Sequence, residues 1–339
     1  MTARRLLIAG LVLAAVELAL IALAPADALR GWLAAAFLWS GVPIGALGFI
    51  MIIHLTGGRW GHSTLPTLEA AALTLPVAAA TLLPVLAGMS VLYPWASAAP
   101  EGFKGGWLAP LPFTLRSVIL FAGLGLALWA LVRRRGSAVA ISAIGLIFLV
   151  PMLSLVLVDW LLSLDPEFHS SGFGLYAMSI QFTVGWMAAM WLLLRRQPER
   201  TAALGALAIT LVLVWLYLAF TSYFIIWSGD LDDVVGWYKV RGQGGWGIAY
   251  AIAAIIEAVA FVILLFTRPR NSARWLRGIA VAMIGGKVVE AAWLVLPQGG
   301  PVRLGAVALY LLAVVALGLV FGSTHCLLFD HRVAERSPR

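Results

Sequence analysis

Residues 246–266 read WGIAYAIAAIIEAVAFVILLF, an apolar run whose single charged side chain is Glu257. A helix of about 20 apolar residues spans the ~30 Å hydrocarbon core of a bilayer. Similar runs recur along the whole chain, which has 339 residues, 62% of them hydrophobic and 11% charged. Soluble domains carry about 25% charged residues. The sequence therefore predicts an all-α, polytopic membrane protein that forms a single integral membrane domain over residues 1–339.

Ten membrane spans are predicted from these runs, and the apolar N-terminal run is too long for an ordinary signal peptide. They cover residues 6–25, 31–54, 67–90, 111–132, 138–163, 172–194, 202–227, 246–266, 274–296 and 304–328. Arginine clusters precede the first span and follow every second one. The positive-inside rule then places both termini in the cytoplasm. The net charge of +8 accordingly indicates membrane orientation rather than a nucleic-acid partner.

Cofactor chemistry finds little support in the residue types present. The single cysteine, Cys326, excludes an intrachain disulfide and a cysteine-ligated iron–sulfur cluster made by this chain alone. No CxxCH haem-attachment motif, zinc site, phosphate-binding loop or catalytic triad is recognisable in the sequence. We therefore expect no metal and no cofactor bound by this chain, with any metal centres belonging to partner proteins.

Four charged residues fall near the middle of predicted spans: Glu17, Glu257, Lys287 and Glu290. A charge at the bilayer centre costs at least ~2.5–3.5 kcal/mol, so each should face the protein interior or find a partner. Lys287 and Glu290 are three residues apart and share one helix face. Glu257 reaches a similar height on the preceding span. The three residues are expected to form a cluster, which serves either as a structural ion pair or, with Glu17 and Asp159, as a proton path.

The stretch DWLLSLDPEFHSSGFGLYA (159–177) places Asp159, Asp165, Glu167 and His169 between two spans on the predicted outer face. Asp165 precedes a proline and should end a helix, because that position disfavours the α conformation. The simplest interpretation is a helix stop with solvated charges. The alternative is a docking surface for outer-face partners, to which Asp230 in the next outer loop would also belong.

Two further residues are candidates at the predicted cytoplasmic end. His54 ends the second span, and Glu69 begins the third, where it would favour a helix N-terminus. An interfacial histidine is usually a packing feature. Prolines inside spans, at positions 43, 76, 84 and 151, free backbone carbonyls that neighbours must satisfy, and they mark either packing kinks or a cavity.

Several stretches together resemble one family. They are HLTGGRWG (54–61), LEAAALTLP (68–76), LYPWA (92–96), DWLLSLDPEFHSSGFGLYA (159–177) and SYFIIWSGDLDDVVGWYKVRGQGGW (222–246). In this order they resemble the NrfD-like membrane subunits of alternative complex III, most closely the second quinone-binding-type subunit, ActF. The likeness covers about residues 31–296, and the C-terminal segment 324–339 departs from the family pattern.

The resemblance implies two four-helix bundles, residues 31–163 and 172–296, flanked by helices 6–25 and 304–328. It implies a bacterial inner-membrane quinol:cytochrome c oxidoreductase, with a sister NrfD-like subunit, an iron–sulfur subunit and haem c subunits as partners beside the lipids. This chain would be a cofactor-free subunit with a structural role, to which proton conduction is the additional role considered. One rival is an anchor subunit that holds the quinone headgroup near His54 or Glu69. Another is a stand-alone transporter, for which the sequence shows no inverted repeat.

Overall fold

A computed structural model describes residues 2–57, 61, 63–133, 135–197, 201, 203–229 and 232–336. The described residues are 86% helical and contain no strand. The long helices are α1 Ala3–Leu20, α2 Pro25–Thr56, α3 Leu65–Ala87, α4 Pro110–Val132, α5 Ala138–Leu161, α6 Phe173–Arg196, α7 Leu204–Gly229, α8 Trp246–Leu265, α9 Ala273–Val295 and α10 Leu304–Arg336.

Nine of these helices, α2 to α10, are long and apolar enough to cross a membrane within the described part of the chain. The prediction of an all-α, multi-pass membrane protein is thereby confirmed. Helix α1 has 18 residues and carries three charged side chains, Arg4, Arg5 and Glu17, which keep it outside this set. The count of ten spans and the side on which the termini lie therefore stay predictions.

The first two helices meet earlier in the chain than predicted. Helix α1 ends at Leu20 and α2 begins at Pro25, whereas the predicted boundaries were 25 and 31. Ala24 takes a non-helical conformation (φ −141°, ψ 66°), because the residue before a proline avoids the α region. Proline itself fits the first position of the following helix, where its missing N–H has no partner to lose.

Helix α3 is a series of short helical segments rather than one continuous span. The segments are Leu65–Ala72, Leu75–Thr81 and Leu83–Ala87, and each starts with Leu-Pro. Carbonyl oxygens near the breaks accept local hydrogen bonds, from Thr74 to Ala71 (2.7 Å) and from Thr81 to Ala78 (2.8 Å). The prolines at positions 76 and 84 therefore each interrupt the helix. The prolines at positions 43 and 151 lie inside continuous helices.

The centre of the molecule is α2, which is buried along nearly its whole length. It crosses α6 where glycines remove the side chains between the two backbones: a Cβ added at Gly185 would lie 2.6 Å from the Gly41 carbonyl oxygen. Beside this crossing, Gln181 Nε2 donates to Ser40 Oγ (2.9 Å) and to the Phe37 carbonyl oxygen (3.1 Å). Close backbone approach at small residues is typical of helix packing in membranes.

The other helices are arranged around this pair. Helix α2 also contacts α3, α5, α9 and α10, and α4 packs on α5. On the other side, α6 contacts α7 and α9, while α8 packs between α7 and α9. Helix α1 packs mainly along α10. The four helices α6 to α9 thus enclose a common interior.

Candidate functional site

A charged cluster lies inside the four helices α6 to α9. Lys287 Nζ on α9 is 2.9 Å from Glu290 Oε2 on the same helix and 3.0 Å from Glu257 Oε1 on α8. All three side chains are buried, with at most 1% of their surface exposed. The contacts expected from the sequence, one along α9 and one across to α8, are confirmed.

Close packing of α8 and α9 lets Lys287 reach across. Gly286, next to Lys287, faces α8 so closely that an added Cβ would be 3.3 Å from Ile256. Since Ile256 precedes Glu257, the absence of a side chain at Gly286 lets the two helices approach each other beside the charged residues. The pair Lys287–Glu290 follows from the spacing i, i+3 on one helix face.

Helices α6 and α7 complete the cluster at Glu290. The Tyr176 hydroxyl on α6 and Trp215 Nε1 on α7 both donate to Glu290 Oε1, the latter at 2.7 Å. Lys287 Nζ also lies 3.9 Å from the centre of the Trp215 ring, a cation–π contact. Each of the four helices therefore contributes at least one side chain to this cluster.

Glu257 is bonded differently from Glu290. Neither of its carboxylate oxygens has a hydrogen-bond partner among the described residues, although Lys287 Nζ lies 3.0 Å away. The contact is a buried ion pair, so protonating Glu257 would remove its charge attraction to Lys287.

The cluster carries a net charge when all its members are ionised. With Lys287 protonated and both carboxyl groups ionised, its three charged members sum to −1. A net charge buried in a low-dielectric interior costs several kcal/mol. The cluster becomes neutral when the two carboxyl groups hold one proton between them, so its composition suits a group that binds and releases a single proton.

An aromatic cavity of about 250 Å³ lies next to the cluster, on the side of the predicted outer face. Its walls include Tyr176, Tyr250, Trp237, Tyr238 and Arg241. The Tyr176 ring thus lines the cavity while its hydroxyl reaches Glu290. Counting ~1.5 Å per residue, Glu290 lies about 8 Å from the end of α9 and Glu257 about 16 Å from the start of α8. The cluster thus leads from this cavity toward the middle of the helices.

Arg241 is buried beside this cavity, in the helix Asp232–Gly242 that the sequence had suggested to be a loop. Its Nη2 donates to the Leu294 carbonyl oxygen at 2.9 Å, and its guanidinium lies 3.7 Å from the Trp237 ring centre. Burial lowers the pKa of Arg241 to about 9, partly opposed by Asp165, so the residue remains charged at neutral pH. Burial likewise raises the pKa of Tyr238 to about 12.

Beyond Glu257, the interior toward the other end of the four helices is apolar. The buried side chains there on α8 and α9 are Ala260, Leu264, Leu276, Ile279, Ala280 and Met283. In the described part of the chain the cluster therefore has polar neighbours toward the cavity and an apolar region on its opposite side.

Asp159 belongs to a separate ion pair. It is fully buried near the end of α5, and Arg116 on α4 donates to both carboxylate oxygens, at 2.5 and 3.0 Å. Arg116 also donates to the Trp107 carbonyl oxygen (2.9 Å) and stacks on the Trp107 ring. This bidentate arrangement ties α4 to α5. It has no hydrogen bond or ion pair with the Lys287 cluster in the described structure.

The predicted helix stop is confirmed, since α5 continues through one 3₁₀ turn to Leu164 and Asp165 is extended. Asp165 is half-buried, whereas Glu167 and His169 are exposed, and His169 Nδ1 donates to the Glu167 carbonyl oxygen at 2.6 Å. The loop is held by Phe168, which is buried and stacks on Trp237 with ring centres 4.5 Å apart. Asp230 lies outside the described residues.

Glu17 is buried on α1, the helix that packs along α10. Neither of its carboxylate oxygens has a hydrogen-bond partner among the described residues. It makes no described hydrogen bond or ion pair with Glu257, Lys287 or Glu290. The structure therefore does not bring Glu17 into the cluster.

His54 and Glu69 line one cavity of about 340 Å³ between α2, α3, α4 and α5. His54 Nδ1 lies 3.1 Å from Ser142 Oγ on α5. The remaining lining is mainly aliphatic and includes Ile50, Leu65 and Leu128. The two residues proposed for a quinone headgroup thus face the same space.

Sequence reasoning missed Tyr176, Trp215 and the cavity residues. Tyr176 is 114 positions from Glu290 and Trp215 is 75 positions away. An aromatic side chain with a polar atom inside a span needs a hydrogen-bond partner, but the sequence does not show which residue that partner is. Comparison with known proteins adds no relative: no protein-family model and no curated protein matches the chain.

Proposed function

We propose that this chain is an integral membrane subunit that carries protons through the Lys287 cluster, within a quinol-oxidising electron-transfer complex. The observation that carries the proposal is Lys287 held between Glu257 and Glu290 at the centre of four apolar helices. A buried ion pair is weak evidence for a stabilising role, whereas ionisable residues inside a membrane are by default functional.

The proton route follows the contacts. Protons exchange with the aromatic cavity through the Tyr176 hydroxyl, which donates to Glu290. Lys287 connects Glu290 to Glu257, the member furthest from the cavity. Moving one charge across the membrane potential involves ~2.3 kcal/mol per 100 mV. Because the far side of Glu257 is apolar, passage to the other face is controlled at that residue.

The setting in a respiratory complex rests on the resemblance to NrfD-like subunits. We propose ten spans with both termini cytoplasmic, in a bacterial inner membrane, beside a sister membrane subunit, an iron–sulfur subunit and haem c subunits. The neighbour relations among α2 to α5 and among α6 to α9 support two four-helix bundles. The redox centres would belong to the partners. The outer docking surface would be formed by the two loops that carry Asp165, Glu167, His169 and Asp230.

The test replaces Glu257 by Gln in the assembled complex and measures protons translocated per electron in proteoliposomes. We expect a lower ratio with electron transfer retained, because glutamine keeps the shape of the side chain but cannot take up a proton. Glu101→Gln, in the exposed connection between α3 and α4, is the matched control and should behave as the wild type. An unchanged ratio for Glu257→Gln at normal turnover would dismiss the role.

A second candidate function is a quinol-binding anchor, favoured by the cavity that His54 and Glu69 share. Its size falls within the ~300–1,000 Å³ of small-molecule sites. A photoreactive quinone analogue should then label residues of α2 or α3, and His54→Ala should reduce the labelling. Labelling confined to partner subunits would exclude this candidate.

A further inference from the structure

A groove between α8 and α9 opens on the lipid-facing surface, away from the proton cluster. Its floor is formed by Ala260 and Ile279, and its walls by Ile255, Val259 and Trp275. The groove exists because Gly278 has no side chain, and a Cβ added there would meet no atom within 4 Å. Its volume is about 670 Å³.

One end of the groove is positively charged. Arg274, at the start of α9, lines it directly. Arg277 follows on α9, and Arg268 and Arg270 lie on the connection between α8 and α9. None of these four arginines forms an ion pair in the described structure. No acidic residue occurs between positions 258 and 289. Among the described residues, these arginines therefore place positive charge without an ion-pair partner at the mouth of an apolar groove.

The dimensions match one leaflet of a bilayer. The lining spans 255–263 on α8 and 274–282 on α9, each about 12 Å long at ~1.5 Å per residue. Half of a ~30 Å hydrocarbon core is ~15 Å. Trp275, exposed near the charged end, is of the residue type enriched at membrane interfaces.

We propose that this groove binds an anionic phospholipid, with an acyl chain along Ala260 and Ile279 and the phosphate at Arg274. The charge pattern favours this occupant, because the arginine-rich connections are expected to face the cytoplasmic leaflet, whose anionic lipids attract basic segments. The lining of the groove includes none of the three charged residues of the Lys287 cluster.

The test uses the full-length chain in detergent and native mass spectrometry with dioleoyl-phosphatidylglycerol and dioleoyl-phosphatidylcholine. The wild type should retain phosphatidylglycerol in preference to phosphatidylcholine. Arg274→Gln should weaken phosphatidylglycerol binding about five-fold, the factor that corresponds to ~1 kcal/mol per arginine. Gly278→Leu should weaken binding of both lipids, because it fills the groove.

Two variants at similar positions elsewhere serve as controls. Gly125→Leu on α4 also adds a side chain where a Cβ meets no atom within 4 Å, and Arg133→Gln removes an exposed arginine after α4. Both should retain phosphatidylglycerol as the wild type does. Equal retention of the two lipids by the wild type, or undiminished retention by Gly278→Leu, would overturn the proposal. The proposal would also be overturned if the wild type were a dimer that Gly278→Leu dissociates while lipid binding stays unchanged. The groove would then be an interface between two copies of the chain.

Discussion

Lys287 is the residue on which the interior of α6 to α9 depends most directly. It contacts two carboxylates and an indole ring, and it is fully buried. Two neighbouring carboxylates without a cation repel each other strongly in a low-dielectric interior. The lysine thus compensates the charge of the acids around it and fixes the positions of α8 and α9.

Replacing Lys287 by Met should destabilise the protein by about 3–5 kcal/mol, the usual cost of breaking a buried ion pair by removing one partner. The measurement is the loss of folded protein on heating in detergent. The triple variant Lys287→Met, Glu257→Gln, Glu290→Gln should recover much of the loss, because it leaves no charge unpaired. A single variant as stable as the wild type would show that the cluster holds no charge.

Some contacts of the Lys287 cluster could be predicted from the sequence and others could not. The pair Lys287–Glu290 could be predicted because the two residues are three positions apart on one helix. The place of Glu257 could be predicted because α8 and α9 form a hairpin, which sets the depth of Glu257 in the membrane relative to Lys287. Tyr176 and Trp215 could not, since their contacts depend on how α6 and α7 are rotated about their axes. Arg241 lies in a segment that was expected to be an outer loop, yet aromatic packing on Trp237 buries it.

At the scale of the element, the α2–α6 crossing is the closest of the helix contacts described above. Gly41 and Gly185 allow the backbones to meet, and Gln181 bonds across the contact to Ser40. No apolar driving force distinguishes helix from lipid in the membrane, so close packing and hydrogen bonds carry much of the association.

Gly185→Ala should lower the stability by about 1–3 kcal/mol, the typical cost of overpacking. Its Cβ would lie 2.6 Å from the Gly41 carbonyl oxygen, and backbone cannot move aside as a side chain can. Gly125→Ala is the matched control, because its Cβ meets no atom within 4 Å. The measurement is the melting temperature of each variant in the same detergent, which should be lower for Gly185→Ala than for Gly125→Ala. Equal melting temperatures would contradict the described crossing.

Element boundaries were predictable wherever an apolar run met a charge or a proline. Helices α4 to α9 begin and end within about two residues of the predicted spans. Helix α3 differs because Leu-Pro recurs at 65–66, 75–76 and 83–84, and each proline starts a new segment. The segment after α7 was predicted to be a loop because it contains glycine and several aspartates, which have low helix propensity. It forms the helix Asp232–Gly242 instead.

At the scale of the whole molecule, the two groups of helices are not independent. Helix α2 packs on α6, α9 and α10, and α1 packs on α10. The ion pair Arg303–Asp27, at 2.6 Å, joins the start of α10 to α2 as well. The first half of the chain therefore lacks much of its packing until the second half is present.

A chain cut in the connection between α6 and α7 tests this dependence. Residues 1–199 expressed alone should fail to give a monodisperse protein, since α1 and α2 lack α9 and α10. Co-expression with residues 200–339 should restore a complex that elutes with the intact protein on size-exclusion chromatography. A stable, monodisperse 1–199 fragment would show that the first half folds by itself.

The central position of α2 has a consequence for biosynthesis. Ribosomes add ~5–20 residues per second, so the roughly 130 residues that separate Gly57 from Gly185 take on the order of ten seconds to appear. During that interval the glycine face of α2 meets lipid or the insertion machinery instead of α6. Helix α2, which lies at the centre of the folded protein, is thus among the first helices to enter the bilayer. It enters before most of the helices that later pack on it have been synthesised.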